Sequence, residues 1–124
     1  MRLAVTASGP DRASLVDPRF GRAKYLLIVD MPERSTLVVD NQSGVNAAQG
    51  AGIQAAQSVI DYGASVVITG RCGPKATQAL EAGGIEVYFT AGGTVDEALS
   101  RFEADRLRPG SGEAPGIDTK NKGA

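Results

Sequence analysis

The stretch from Gly63 to Pro74 limits what this chain can fold into more than any other. Ser65-Val-Val-Ile-Thr69 is a β-branched run with little polar alternation, as in a strand covered on both faces. Gly63 is a natural stop for a preceding helix. Gly70-Arg-Cys-Gly-Pro74 follows the run as a tight turn, and Pro74 suits the first position of a new helix because its missing N–H costs nothing there. A doubly covered strand needs a layer above and a layer below. A helix leaving such a strand is half of a β-α-β crossover, which makes parallel pairs with right-handed connections.

The rest of the chain extends this unit. Leu3 to Ala7 reads as a strand running into Ser8-Gly9-Pro10. Residues 8–23 form a long polar connection with Gly9, Pro10, Pro18 and Gly21, and long connections in compact domains tend to carry function. Lys24–Asp30 and Ser35–Asp40 read as strands joined by the turn Met31-Pro-Glu-Arg34, hence an antiparallel hairpin. A second loop, Asn41 to Gln49, leads to Gly50 and Gly52. From Ala51 to Tyr62, Ile53, Ala56, Val59 and Ile60 recur at helical spacing. Lys75 to Ala82 continues the helix opened by Pro74, and Gly83-Gly84 ends it. Ile85 to Phe89 is a fifth strand. Thr94 with Glu97 three residues later reads as a capping box for a helix from Val95 to about Ala104.

The order β-β-β-α-β-α-β-α predicts an α/β fold: a five-stranded mixed sheet with helices packed on it. With 124 residues, the chain is long enough to bury a core without staples. Residues 1–105 are expected to form one domain. Residues 106–124, rich in glycine, proline, serine, lysine and acids, are expected to form a flexible tail.

Composition removes several function classes. The net charge is −1, from 13 basic and 14 acidic residues, so no basic field invites DNA or RNA. Three Phe, three Tyr and no Trp supply no base-stacking platform. One cysteine and no histidine exclude an intrachain disulfide framework and argue against zinc, blue-copper, haem or four-thiolate iron–sulfur ligation. They also leave no histidine base to activate Ser8 or Cys72. The N-terminus enters a strand directly, and no run approaches the ~20 apolar residues of a membrane span. A cytoplasmic protein with no membrane and no nucleic-acid partner is expected.

Three glycine-bearing loops carry the chemistry: Ser8-Gly9-Pro10 leading to Asp17–Arg22, Asn41–Gly52, and Thr69–Lys75. If the first and fourth strands are parallel neighbours, the first and third loops leave the same sheet edge and open a crevice, where open α/β sheets bind ligands. The helix at Pro74 would aim its N–H groups and positive dipole end at that crevice. Gly70 and Gly73 allow close backbone approach, and Arg71 and Lys75 add charge, with Arg19 and Arg22 opposite. The phosphate-loop pattern G-x-x-x-x-G-K-[ST] is absent. Cys72 lies just before the helix between Arg71 and Lys75, a setting that stabilises a thiolate, although a small residue packed in a corner is an equal reading.

The stretches Asp17-Pro-Arg-Phe-Gly-Arg22, Gly50-Ala-Gly-Ile-Gln-Ala-Ala56, Ile68-Thr-Gly-Arg-Cys-Gly-Pro-Lys-Ala76 and Gly84-Ile-Glu-Val-Tyr88 resemble the dinitrogenase iron–molybdenum cofactor biosynthesis family over about residues 1–105. The resemblance implies a ribonuclease H-like fold and a carrier of metal–sulfur cofactors or their precursors, not an enzyme. One branch of the family holds a molybdenum–copper sulfide cluster non-covalently, and this chain is similar to it in being a stand-alone domain. An iron–molybdenum cofactor-type precursor is the other cargo implied. Donor and acceptor proteins, P-loop ATPases among them, are the implied partners.

The chain departs from the nitrogenase carriers in lacking histidine and all but one cysteine. That suits a preformed anionic cluster bringing its own sulfide ligands. The residues expected to surround it are Ser8, Gly9, Arg19, Phe20 and Arg22 from the first loop, and Gly70, Arg71, Cys72, Gly73 and Lys75 from the third. Cys72 is expected to line the site without being essential. The alternative is a metal-free binding or regulatory module for a small phosphorylated metabolite. A nuclease is a weaker third reading, because no cluster of facing carboxylates is evident.

Overall fold

The computed structural model describes residues 1–42 and 50–104 and the backbone of residues 108–109. Its elements are β1 (Arg2–Ala7), β2 (Tyr25–Asp30), β3 (Ser35–Asp40), α1 (Ala51–Asp61), β4 (Val66–Thr69), α2 (Pro74–Ala82), β5 (Glu86–Phe89), α3 (Val95–Glu103) and β6 (Arg108–Pro109). The sheet order is β3-β2-β1-β4-β5-β6. β1, β4 and β5 run parallel, β2 and β3 form an antiparallel hairpin beside β1, and β6 lies antiparallel to β5. This is the mixed, ribonuclease H-like α/β arrangement expected, with a sixth strand of two residues added.

The pleat divides the core into two layers. Ala4, Leu26, Ile28, Val67, Val87 and Phe89 face one side, where Ala55, Ala56 and Val59 of α1 and Ala76 and Leu80 of α2 cover them. Leu3, Val5, Leu27, Val29, Val66 and Ile68 face the other, under Val95, Ala98 and Leu99 of α3. Every residue of β4 is buried, as its unbroken apolar run requires. Each fully buried Leu or Val contributes on the order of 1.5–3 kcal/mol. Gly63 at φ 76° ends α1, Pro74 opens α2, and Thr94 and Glu97 form the expected capping box of α3. Among the described residues, no helix is long and apolar enough to cross a membrane.

Two expectations change. The helical spacing predicts Ile53 and Ile60 on the buried face of α1, but they are 48% and 37% exposed, and the buried residues are Ala51, Ala55, Ala56 and Val59. Close packing decides this: a Cβ on Gly52 would lie 3.0 Å from Ala76 Cβ, a spacing that admits only small side chains between α1 and α2. Ile60 instead covers the turn at Gly83. The second change concerns residues 106–124. Arg108 and Pro109 pair with Phe89 and Tyr88, because the open backbone edge of β5 can be satisfied by a strand of almost any composition. The rest of that segment lies outside the described residues, as do residues 43–49 of the second loop.

Candidate anion-binding crevice

The crevice forms where β1 and β4 lie parallel and their connections diverge, β1 leading into the hairpin and β4 into α2. A buried polar lattice fixes the first loop above this seam. Asp17 N–H donates to the Thr6 carbonyl at 2.9 Å, and Thr6 Oγ1 donates to the Asp17 carbonyl at 2.7 Å. Thr69 Oγ1 stands 2.9 Å from Thr6 Oγ1 and ties β4 into the same lattice. Asp17 Oδ1 accepts from Arg19 N–H at 2.9 Å, and Phe20 N–H donates to the Arg71 carbonyl at 3.1 Å. The loops are so close that a Cβ on Gly70 would fall 2.5 Å from Pro18 Cα. Asn41 holds the far end of the loop by donating to the Gly21 and Ala23 carbonyls at 3.1 and 2.8 Å.

Between these loops lies a cavity of about 400 Å³, lined by Val16, Pro18, Gly70, Arg71, Thr90, Ala91 and Gly92. Its third wall is the connection from β5 to α3. Gly92 and Gly93 adopt φ of 138° and 88°, where a side chain would be strained. Val16 N–H donates to the Gly93 carbonyl at 3.0 Å and joins the first loop to this wall. Arg101 of α3 braces it from behind: Nη1 donates to Thr90 Oγ1 at 3.1 Å and to the Gly92 carbonyl at 2.9 Å. Among the described residues, no hydrogen bond engages the N–H of Ala91, Gly92 or Gly93. The lining therefore combines the Arg71 guanidinium, the unengaged N–H groups of Ala91 and Gly92 and apolar side chains, with the unengaged Gly93 N–H next in the chain, a set suited to a compact anion.

The expected constellation is divided by the structure. Gly70 and Arg71 line the cavity. Ser8 does not: its N–H and Oγ both donate to the Leu15 carbonyl, at 3.0 and 3.2 Å, and close a local turn. A Cβ on Gly9 would collide with Ser14 Oγ, so Gly9 serves that same turn. Phe20 is buried in the core under α1 and α2, because an aromatic ring between two helices gains more from burial than from a polar rim. Arg19 is exposed and reaches back to Asp17 Oδ1 at 3.4 Å.

A second neighbourhood holds Arg22, Gly73 and Lys75. A Cβ on Gly21 would lie 2.8 Å from Gly52 Cα, and Gly52 abuts Ala76, so the first turns of α1 and α2 meet beside the Phe20–Arg22 loop. Gly73 caps α2 without a side-chain hydrogen bond, Lys75 is exposed in its first turn, and Arg22 is half-buried. Cys72 belongs to the core cluster at 3% exposure. Burial pushes its thiol above the ordinary value of 9.0, and a hydrogen bond with Thr77 offsets this only in part. Of the two readings open for Cys72, the structure favours the small residue packed in a corner, because desolvation disfavours the thiolate.

The residues that sequence reasoning missed are Thr90, Ala91, Gly92 and Gly93, with Arg101 behind them and Val16 and Pro18 opposite. A signal was present. Gly92-Gly93 directly precede the N-cap Thr94 in a third strand-to-helix connection.

Comparison with known proteins places the chain. The family model of the dinitrogenase iron-molybdenum cofactor matches residues 1–105. The apo form of the orange protein from Desulfovibrio gigas superposes with a TM-score of 0.86 at 45% identity, covering 90% of this chain and 93% of that one. A Thermotoga protein of the DUF35 family superposes with a TM-score of 0.77 at 36% identity, covering 87% and 91%. An uncharacterized protein of Methanocaldococcus jannaschii is 26% identical over 95 residues, 74% of this chain and 80% of that protein. The chain belongs to the dinitrogenase iron-molybdenum cofactor family.

Proposed function

We propose that this protein binds an anionic metal–sulfur cluster without a covalent bond to it and carries it between partners. The observation that supports this best is the lining of the 400 Å³ cavity, where Arg71 meets the Ala91–Gly92 backbone and the apolar Val16, Pro18 and Ala91, beside N–H groups at residues 91–93 that no hydrogen bond engages among the described residues. Among the described residues, no group of three His, Cys, Asp or Glu side chains is placed to hold a metal ion. Cargo that arrives with its metals already coordinated by sulfide needs only charge, donors and shape from the protein. A molybdenum–copper sulfide cluster fits these requirements, and an iron–molybdenum cofactor-type precursor is the related cargo. Family membership and the likeness to the orange protein support a cofactor-related role.

The protein acts here as a carrier and not as a catalyst. Its partners are the proteins that donate and accept the cluster, P-loop ATPases among them, in the cytoplasm. The test is anaerobic reconstitution of the full chain with tetrathiomolybdate and Cu(I), followed by desalting. A visible band with stoichiometric molybdenum and copper is expected. Loss of both metals on desalting, together with saturable binding of a phosphorylated metabolite, would replace this reading with a metal-free regulatory module.

A further inference from the structure

Arg101 lies outside the cavity and reaches its wall from behind. One nitrogen, Nη1, donates both to Thr90 Oγ1 and to the Gly92 carbonyl. Thr90 Oγ1 donates to that same carbonyl at 3.3 Å, so the Gly92 oxygen has two donors. The peptide is planar and trans, so a Gly92 oxygen drawn toward α3 turns the Gly93 N–H the opposite way. The space for the guanidinium is kept by Gly93: a Cβ there would lie 2.7 Å from Glu97 Oε1 and 3.1 Å from Arg101 Nη2. Arg101 is half-buried, and Thr90 is 5% exposed, so these bonds are largely shielded from water.

We infer that Arg101 is the positioning residue of the cavity: it holds the Gly92 carbonyl back toward α3 so that the N–H groups of Ala91, Gly92 and Gly93 receive the oxide or sulfide edge of a tetrahedral anion or cluster. The inference rests on the anion-carrying reading of the cavity. Arg101 does two things at once. It occupies the carbonyl lone pairs that would repel an anion, and it places a positive charge behind the wall. Without it the diglycine, at φ values open to glycine in either hand, keeps only the Thr90 Oγ1 bond to the Gly92 carbonyl and the Val16 N–H bond to the Gly93 carbonyl to select this conformation.

The experiment follows amide resonances of the ¹⁵N-labelled full chain. In the wild type, titration with tetrathiomolybdate, and with molybdate as its oxide analogue, should shift the amides of residues 91–93. In Arg101→Ala these amides should exchange faster before any anion is added, and the apparent Kd for tetrathiomolybdate should rise about tenfold or more. Arg101→Lys keeps the charge and a donor and should recover part of the affinity. Thr90→Val should weaken binding in the wild type and add little in Arg101→Ala, because Arg101 acts partly through Thr90. A residue that merely stabilised α3 would lower the melting temperature of the variants and leave the residue 91–93 response intact, and that result overturns the inference. A wild type whose 91–93 amides respond to neither anion also overturns it. Retention of coloured cluster after desalting is read separately. Colour without a 91–93 response removes this inference alone, and a 91–93 response without colour removes the cluster-carrying reading and leaves an anion site.

Discussion

Cys72 stands one residue before the N-cap of α2, between two basic residues, yet its sulfur is packed under α1 and α2. Its raised pKa gives the pH dependence a definite sign. Above the ordinary thiol value of 9.0 the unfolded chain releases this proton first, so the unfolded state is favoured and stability falls as pH rises toward the folded value. Urea midpoints compared at pH 8 and pH 10 should therefore drop more for wild type than for Cys72→Ser. The same variant should keep the colour of the reconstituted protein, since the buried sulfur is absent from the cavity lining. Loss of colour and copper together, with the circular dichroism intact, would make the thiol a ligand. Arg71 gives the opposite expectation. It is exposed at the rim, and Arg71→Ala should raise the Kd for tetrathiomolybdate about tenfold, for a charge-assisted contact of roughly 1.5–3 kcal/mol, with an unchanged melting temperature.

At the scale of elements, the loop over the β1–β4 seam is the most constrained part of the fold. Gly70→Ala would drive a Cβ into the Pro18 backbone, which cannot move without releasing Asp17 from Thr6. A destabilisation at the upper end of overpacking, about 3 kcal/mol, should appear in chemical denaturation. Thr94→Ala should cost about 1 kcal/mol by removing the cap of α3. The strands, the hairpin and this cap were legible because each follows from local rules: β-branched runs, a four-residue turn, a Thr–Glu spacing. The face of α1 was not, because the choice of alanines over Ile53 and Ile60 is made by α2, which local periodicity does not contain. The candidate site was half legible for the same reason. Gly70 and Arg71 could be read from the strand–turn–helix signal, whereas Thr90–Gly93 gain their place through Thr69, Val16 and Arg101, tertiary contacts that no local motif announces. Phe20 was misread, and the two readings of Cys72 stayed level, because residue type and neighbours in sequence do not reveal burial.

For the whole molecule, the sheet is wider than the domain boundary near residue 105 allowed. Truncation after Leu107 should remove β6 from β5 and lower the melting temperature by a few degrees, on the order of 1 kcal/mol. Truncation after Pro109 should restore it, and equal midpoints for the two would show that β6 adds nothing. The helices and strands also close over very different lengths of chain. The β2–β3 hairpin joins neighbours in sequence, but the β1–β4 seam sets Leu3 beside Val66 and Val5 beside Ile68. Contacts between distant residues form late, because the intervening chain must lose its freedom before they are gained. Pulse-labelled hydrogen exchange during refolding should therefore protect the hairpin amides before those of β1 and β4. The crevice sits on that late seam. If the hairpin does form first, a partly folded chain has the hairpin before it has the crevice, so under the proposed carrier role the taking up of cargo would report that folding is complete.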